Sequence, residues 1–474
     1  MRSRRAGSVL LVGIFCTLIG ALPAAGLVSV LNATPGAAGA GDPYYPKDGN
    51  GGYDAHSYDV SISYDPARKH LTGDSTLTAR ATKDLSRFNL DLRELDVRSV
   101  EVNGRPAGFT RESGFELVIT PAAPIAEDDE FTARVRYSGE PGSTRRPLVQ
   151  KQGWQFTRSG GAFVLGEPHS AAFWYPVNDT PRDKAAFRLA ARVPMAWTVV
   201  SIGTEGPRRT EDGWTTYTWS DANPVASYLT TVAIDKFTVD RSTLPDGTPV
   251  VSAYAPGALG KRAVEARLPD VMEFMADKFG PYPQTAAGGI YLNEAIPFAL
   301  ETQGRPTYAS WAEQQVLVHE YAHQWFGNSV SIESWSDICL NECFASYATW
   351  LWIEHLDGVN LDEHYRTVVH QIRGMDTIWS PKLHEMGAGN EFKGVYSKGL
   401  LAMHALRRKI GDPVFNAVLR DWPTAHRHSN ASWREFEGFV QARTSKDLGE
   451  FFDVWFRGEG IPPDEHLYPG PLRR

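Results

Sequence analysis

The run His319-Glu320-Tyr321-Ala322-His323 places two imidazoles four positions apart, with a carboxylate beside the first. On a helix, positions i and i+4 share a face, so both rings can address one metal ion while Glu320 projects next to its open coordination position. Eighteen residues intervene before Glu342. A catalytic zinc takes three protein ligands and keeps a fourth position for water, and Glu342 completes a His₂Glu set with His319 and His323. The pattern predicts one Zn²⁺ per chain and Glu320 as the base that takes a proton from an activated water. Core histidines and a helix-dipole partner are the blander account. An uncompensated buried carboxylate is costly, however, and a metal removes that cost.

The elements that must hold these groups can be read from periodicity. Gln315 to Val318 is mostly apolar and leads into HEYAHQWFG, with Gly327 where a C-cap glycine belongs, which predicts one buried helix. Ser336 and Asp337 suit the start of the next. From there DICLNECFASYATWLWIEH keeps helical spacing to about His355, and Gly358 stops it. Asn341 and Asp337 are candidates to orient the ligands, and Asp337 equally suits a cap. Cys339 and Cys343 flank Glu342 one turn apart. Helical Cβ directions oppose a disulfide there, so two buried thiols are expected. From Tyr53 to about Val239 polar and apolar residues alternate between turn residues, as in antiparallel strands. After about Ser252 the pattern turns helical, beginning with RAVEARLPDVMEFMADKFG.

HEYAHQWFGNSV and SWSDICLNECFASY closely resemble the zinc site of the aminopeptidase N family, gluzincin peptidases with a thermolysin-like catalytic domain. FWYPVNDTPRDKAAF, ASYLTTVAIDKF, VYSKGLLAMHALRRKIGD and LGEFFDVWFRGEGIPP extend the resemblance over roughly Tyr53 to Pro463. It implies an α+β fold, an N-terminal antiparallel β-sandwich followed by a mainly helical thermolysin-like domain. The expected organisation is a signal or anchor over 1–41, a β domain over 42–245 and a zinc peptidase domain over 246–474. The C-terminal helical domain of larger relatives is expected to be missing. Three residues carry over by position. Tyr396, in YSKG, matches the oxyanion-stabilising tyrosine; Glu301, in FALETQ, and Glu167, in LGEPHS, match the two acids that bind the substrate's free α-amine. Phe298, Thr302 and Cys343 depart from the family pattern at their positions, and His169 receives no role. The implied activity is removal of one residue from peptides with a free N-terminus. An endopeptidase or an epoxide hydrolase on the same scaffold stays open, and a binding scaffold is disfavoured because every metal ligand is present.

Composition fits a sizeable globular enzyme: 474 residues, 42% hydrophobic and 22% charged. A net charge of −8 excludes a nucleic-acid partner. At the N-terminus Arg2, Arg4 and Arg5 precede an apolar run from Val9 to about Leu31, broken by Pro23, and Ala38-Gly39-Ala40 offers a cleavage site. This predicts export, a mature chain beginning near Gly41, and a secreted or cell-surface location. The run 9–31 is also long enough for membrane attachment if it is not cleaved. Cys16 lacks lipoprotein surroundings, since Ile14 and Phe15 are too large.

Overall fold

Along Tyr53–Asp65 the buried and exposed positions alternate, with one slip between Ala55 and Ser57 where a bulge restores the inward face. The same alternation in His70–Ala81, Glu130–Gly139, Ala185–Pro194 and Trp214–Val225 lets these strands share one nine-stranded sheet, each burying one face. The computed structural model describes residues 32–144 and 151–473. The sheet is not purely antiparallel. Tyr53–Asp65 pairs antiparallel with His70–Ala81 but parallel with Ala185–Pro194. Period-two patterning selects a face, not a direction, and the long intervening chain permits the parallel return.

Two smaller sheets complete the β region. One has the order Ser143–Thr144, Gln152–Phe156, Ala162–Leu165, Val232–Asp235, Thr198–Ser201. Its strand Ala162–Leu165 leads straight into Gly166 and Glu167. The other pairs Leu85–Asp91 with Glu116–Thr120 in antiparallel register. The expected boundary at 245/246 falls in the turn of a hairpin, Thr238–Thr243 with Pro249–Tyr254. That hairpin is extended by parallel pairing with Ile290–Tyr291 and then Thr307–Tyr308, and a bridge from Leu300 to Thr307 continues it up to Glu301.

Helices dominate after Arg262. The motif helix, Gln314–Ala322, packs against Leu268–Phe279 and the ligand helix, Cys339–Asp357; the latter also packs on Lys398–Ile410. The motif helix ends sooner than its apolar pattern predicts. His323 is its C-cap, still in right-handed helical geometry, and the amides of Asn328, Ser329 and Val330 bond back to His323, Gln324 and Trp325 in a widened turn. Ser334, rather than Ser336 or Asp337, opens the next element by accepting the Ser336 amide at a 3-10 turn, Trp335–Asp337. Gly358 ends the ligand helix at φ +66°, as its position predicted.

Cys339 and Cys343 are bonded to each other, which corrects the expectation of thiols. Their Cα atoms are 4.8 Å apart, closer than the roughly 6 Å of a regular i, i+4 pair. Cys339 sits where the 3-10 entry passes into the α-helix, so interior helix geometry does not govern it.

The apolar run 9–31 lies outside the described residues, and among those described no helix is long and apolar enough to cross a membrane. The expected cleavage site, Ala38-Gly39-Ala40, lies in a segment bonded to the fold. Thr34 and Pro35 pair with Leu85 and Arg87, and the Ala40 amide donates to Asp48.

Candidate active site

His319 Nε2, His323 Nε2 and a Glu342 carboxylate oxygen converge on one point. His319 Nε2 is 3.2 Å from His323 Nε2 and 3.2 Å from Glu342 Oε2, and His323 Nε2 is 3.5 Å from that same oxygen. Tetrahedral zinc ligands at about 2.0–2.1 Å lie about 3.4 Å from one another, so the triangle has the size of a zinc site. Glu342 Oε2 is buried and has no hydrogen-bond donor of its own. Burial opposes ionisation of Glu342, and the adjacent His323 and His319 outweigh it and lower its carboxyl below the ordinary carboxylate range. His323 Nδ1 bonds the Phe326 carbonyl at 3.1 Å, which fixes the tautomer with Nε2 free for metal. Gly327 is required beside it. At φ +129° a side chain is strained, and a Cβ would stand 3.3 Å from His323 Nδ1 and 3.2 Å from Asn341. Phe326 stacks on Phe344 at 4.5 Å between centroids, joining the motif segment to the ligand helix.

Glu320, Tyr396, Glu301 and Glu167 line the same cavity of about 530 Å³ as the three ligands. Glu320 and Glu301 also approach His323, with one ligand atom from each lying within 4.8 Å of the others. Burial pushes the Glu320 carboxyl well up; His323 opposes this, and Glu301 and Glu342 add to it. Glu167 is buried at 6% exposure with Oε1 unpartnered, and burial followed by the charges of Glu301, Glu342 and Glu320 raises its carboxyl far above the ordinary range. Burial raises the Glu301 carboxyl as well, with His323 opposing and Glu342 adding to it. Tyr396 stands at the rim, 45% exposed, with its ring 6.0 Å from that of His319. A larger hollow of about 950 Å³ between Glu363 and Arg473 contains none of the predicted residues.

Several supporting side chains escaped sequence reasoning. Gln324 and Asn328, in the turn after His323, donate to the Glu301 carbonyl at 3.2 and 2.7 Å, so one loop ties the His323 turn to the Glu301 backbone. Tyr228 Oη donates to Glu301 Oε1 at 3.3 Å and accepts from Asn341 Nδ2 at 3.4 Å. Lys398, two residues after Tyr396, buries its ammonium against the carbonyls of Trp379, Pro381 and Gly458. Lys184 donates to the carbonyls of Asn328 and Ser329 from the β region, and burial lowers its pKa to about 7. Only the lysines left a sequence signal, as basic residues inside otherwise recognisable motifs. Asp337 does not meet the histidine ligands; its carboxylate faces His384 at 3.5 Å. Thr302, which departs from the family pattern, turns inward to the Arg305 carbonyl and Thr307 hydroxyl. Cys343 is accommodated by Gly399, where a Cβ would come within 2.4 Å of its sulfur.

A buried His₂Glu triangle with an adjacent carboxyl, set in the cleft of an α+β fold, defines a zinc-dependent hydrolase site. Residues 54–229 match the peptidase M1 N-terminal domain and residues 288–455 the peptidase family M1 domain, and the chain belongs to that family. It is similar to glutamyl aminopeptidase of Rattus norvegicus, at 24% identity over 85% of this chain and 47% of the relative. It is also similar to aminopeptidase N of Lactococcus lactis subsp. lactis, at 23% identity over 86% of this chain and 51% of the relative. The chain spans about half the length of the curated relatives it matches. An M1 zinc metallopeptidase from Deinococcus radiodurans superposes with a TM-score of 0.83 at 28% identity, over 90% of this chain and 98% of that one. A mutant of that neighbour was solved bound to a Tyr-Ser-Ala substrate.

Proposed function

We propose that the protein is an exported zinc aminopeptidase that releases the first residue of peptides with a free N-terminus. The observation carrying this reading is the pair of buried carboxyls, Glu167 and Glu301, that share the cavity with the metal triangle. Two acids buried in one cavity favour a cation between them, and a substrate ammonium supplies it. Gripping the amine there leaves only the first peptide bond within reach of the metal ligands, which converts binding energy into position.

Zinc, when bound by His319, His323 and Glu342, supplies Lewis acidity to the scissile carbonyl and lowers the pKa of a water molecule. Glu320 accepts that water's proton as the water attacks the carbonyl carbon, then returns it to the leaving nitrogen as the C–N bond breaks. The Tyr396 hydroxyl donates to the oxygen on which negative charge develops, a suitable task for a donor that is neutral beforehand. The cavity walls include Phe298, Trp311, Phe392 and Leu400, and the described lining holds no Lys or Arg. Apolar side chains therefore suit it. Export is supported by the basic-then-apolar pattern of the first 31 residues and by the Cys339–Cys343 disulfide, since disulfides persist in oxidising compartments.

Mass spectrometry of a decapeptide digest tests the activity. Stepwise loss of single N-terminal residues is expected; internal fragments as first products would make the protein an endopeptidase.

A further inference from the structure

Glu167 belongs to the β region and Glu301 to the peptidase region, so their separation depends on how one region seats on the other. One short segment, 42–50, touches both sides of that join. Asp42 Oδ2 accepts the Trp335 amide at 2.8 Å, while its Oδ1 accepts the amides of Tyr44 and Tyr45 at 2.8 and 3.1 Å. The Trp335 ring lies 5.4 Å from that of Tyr228, whose hydroxyl bonds Glu301. Tyr45 stands edge-on between Trp335 and His169, 6.1 Å from each centroid. Asp48 Oδ2 meets His169 Nδ1 at 2.6 Å, two residues from Glu167. Tyr44 Oη accepts the Gly387 amide at 2.9 Å, at the root of the loop that carries Phe392 and Tyr396. Asp42, Tyr45, His169 and Trp335 are all buried.

Residues 49 and 50 serve the β region, the Gly49 amide donating to Asp91 Oδ2 at 3.1 Å and the Asn50 amide to Asn178 Oδ1 at 2.6 Å, so the contacts that reach across the join are those of residues 42–48. Asp48 lies beside the join with its side chain only 12% exposed. Its evident partners are His169 and, at 3.7 Å, Arg93. The metal ligands, in contrast, sit on two helices packed directly together and have no contact with the segment among the described bonds.

We propose that residues 42–48 form a positioning strap that sets the spacing of the two amine-binding carboxylates across the cleft without bonding the metal ligands themselves. The proposal rests on the aminopeptidase reading above. A further consequence is that the strap begins just beyond the expected processing site at Ala40, so the processed chain retains it.

Asp42→Ala and Asp48→Ala, singly and combined, are measured for zinc content, melting temperature, and kcat and KM on a tripeptide and its N-acetyl counterpart. Asp48→Asn serves as the conservative variant. The combined variant is expected to keep one zinc and a kcat within about threefold while KM on the free tripeptide rises about tenfold. Turnover of the acetylated peptide should be unchanged, and Asn at 48 should restore most of the Asp48→Ala loss. An unchanged KM, or zinc loss with collapse of kcat on both peptides, overturns the strap. Should the variants fail to fold, hydrogen exchange on the wild-type enzyme decides. Binding of L-arginine is expected to slow exchange at the Tyr44, Tyr45, Trp335 and Gly387 amides, and no slowing contradicts the proposal. A wild-type enzyme indifferent to acetylation would instead remove the amine-clamp reading itself, whereas normal discrimination with an unmoved KM in the variants would remove the strap alone.

Discussion

The two ends of the cleft are built in opposite ways. At the metal end, His319, Glu320 and His323 come from one helix with its cap, Glu342 comes from the next, and the helices pack face to face. At the end proposed to hold the substrate amine, Glu167 follows a β strand, Glu301 follows a bridge more than a hundred residues later, and no helix carries either. Local periodicity specifies the first set; only the seating of two regions specifies the second. Damage to each end should therefore read out differently, through turnover and metal content at one and through discrimination between substrates at the other.

The largest effect is expected from His319→Ala, which removes one corner of the triangle: zinc content should fall well below one per chain, with hydrolysis at background on every peptide. Retention of stoichiometric zinc would break the ligand assignment. Glu320→Gln should keep about one zinc per chain and lose roughly 10² to 10⁴ in kcat, the range for a proton-transfer group. Loss of metal on that change would instead make Glu320 a ligand. Tyr396→Phe comes next, with kcat down by roughly 10² to 10³ and KM nearly constant, as for a donor engaged only in the transition state. An effect confined to KM would move Tyr396 from the reacting oxygen to ground-state binding.

At the other end, Glu301→Ala should lower kcat/KM on free-amine peptides by about 2 to 3 kcal/mol in transition-state terms, the scale of hydrogen bonds to a charged group. Activity on acetylated peptides should scarcely move. An equal loss on both classes would mean that Glu301 supports the metal end, which its proximity to His323 and Glu320 makes a fair test.

The same contrast explains what could be read in advance. His319 and His323 were legible because an i, i+4 pair shares a helix face at 3.6 residues per turn, and Glu342 because it offers the third ligand on the next helix; the three side chains lie 3.2–3.5 Å apart. Glu167 and Glu301 were legible only through resemblance, because nothing in LGEPHS or FALETQ by itself marks a carboxyl that will face another from a distant region. The Cys339–Cys343 bond was misread because helix-interior geometry was applied to a residue at a 3-10 entry. The parallel pairing of Tyr53–Asp65 with Ala185–Pro194 left no trace, since alternation looks alike in either direction. Asp42, Asp48 and Tyr228 stand far in sequence from what they hold, which is why no local pattern announced them.

The relative rate of the wild-type, zinc-loaded enzyme on one tripeptide with a free amine and with an acetylated amine tests the central claim most directly. The account predicts a preference for the free amine of at least about a hundredfold, the worth of pairing an ammonium with two buried carboxyls. Equal rates would mean that Glu167 and Glu301 do not bind the substrate's terminus, and the protein would then be a zinc endopeptidase on an M1 scaffold.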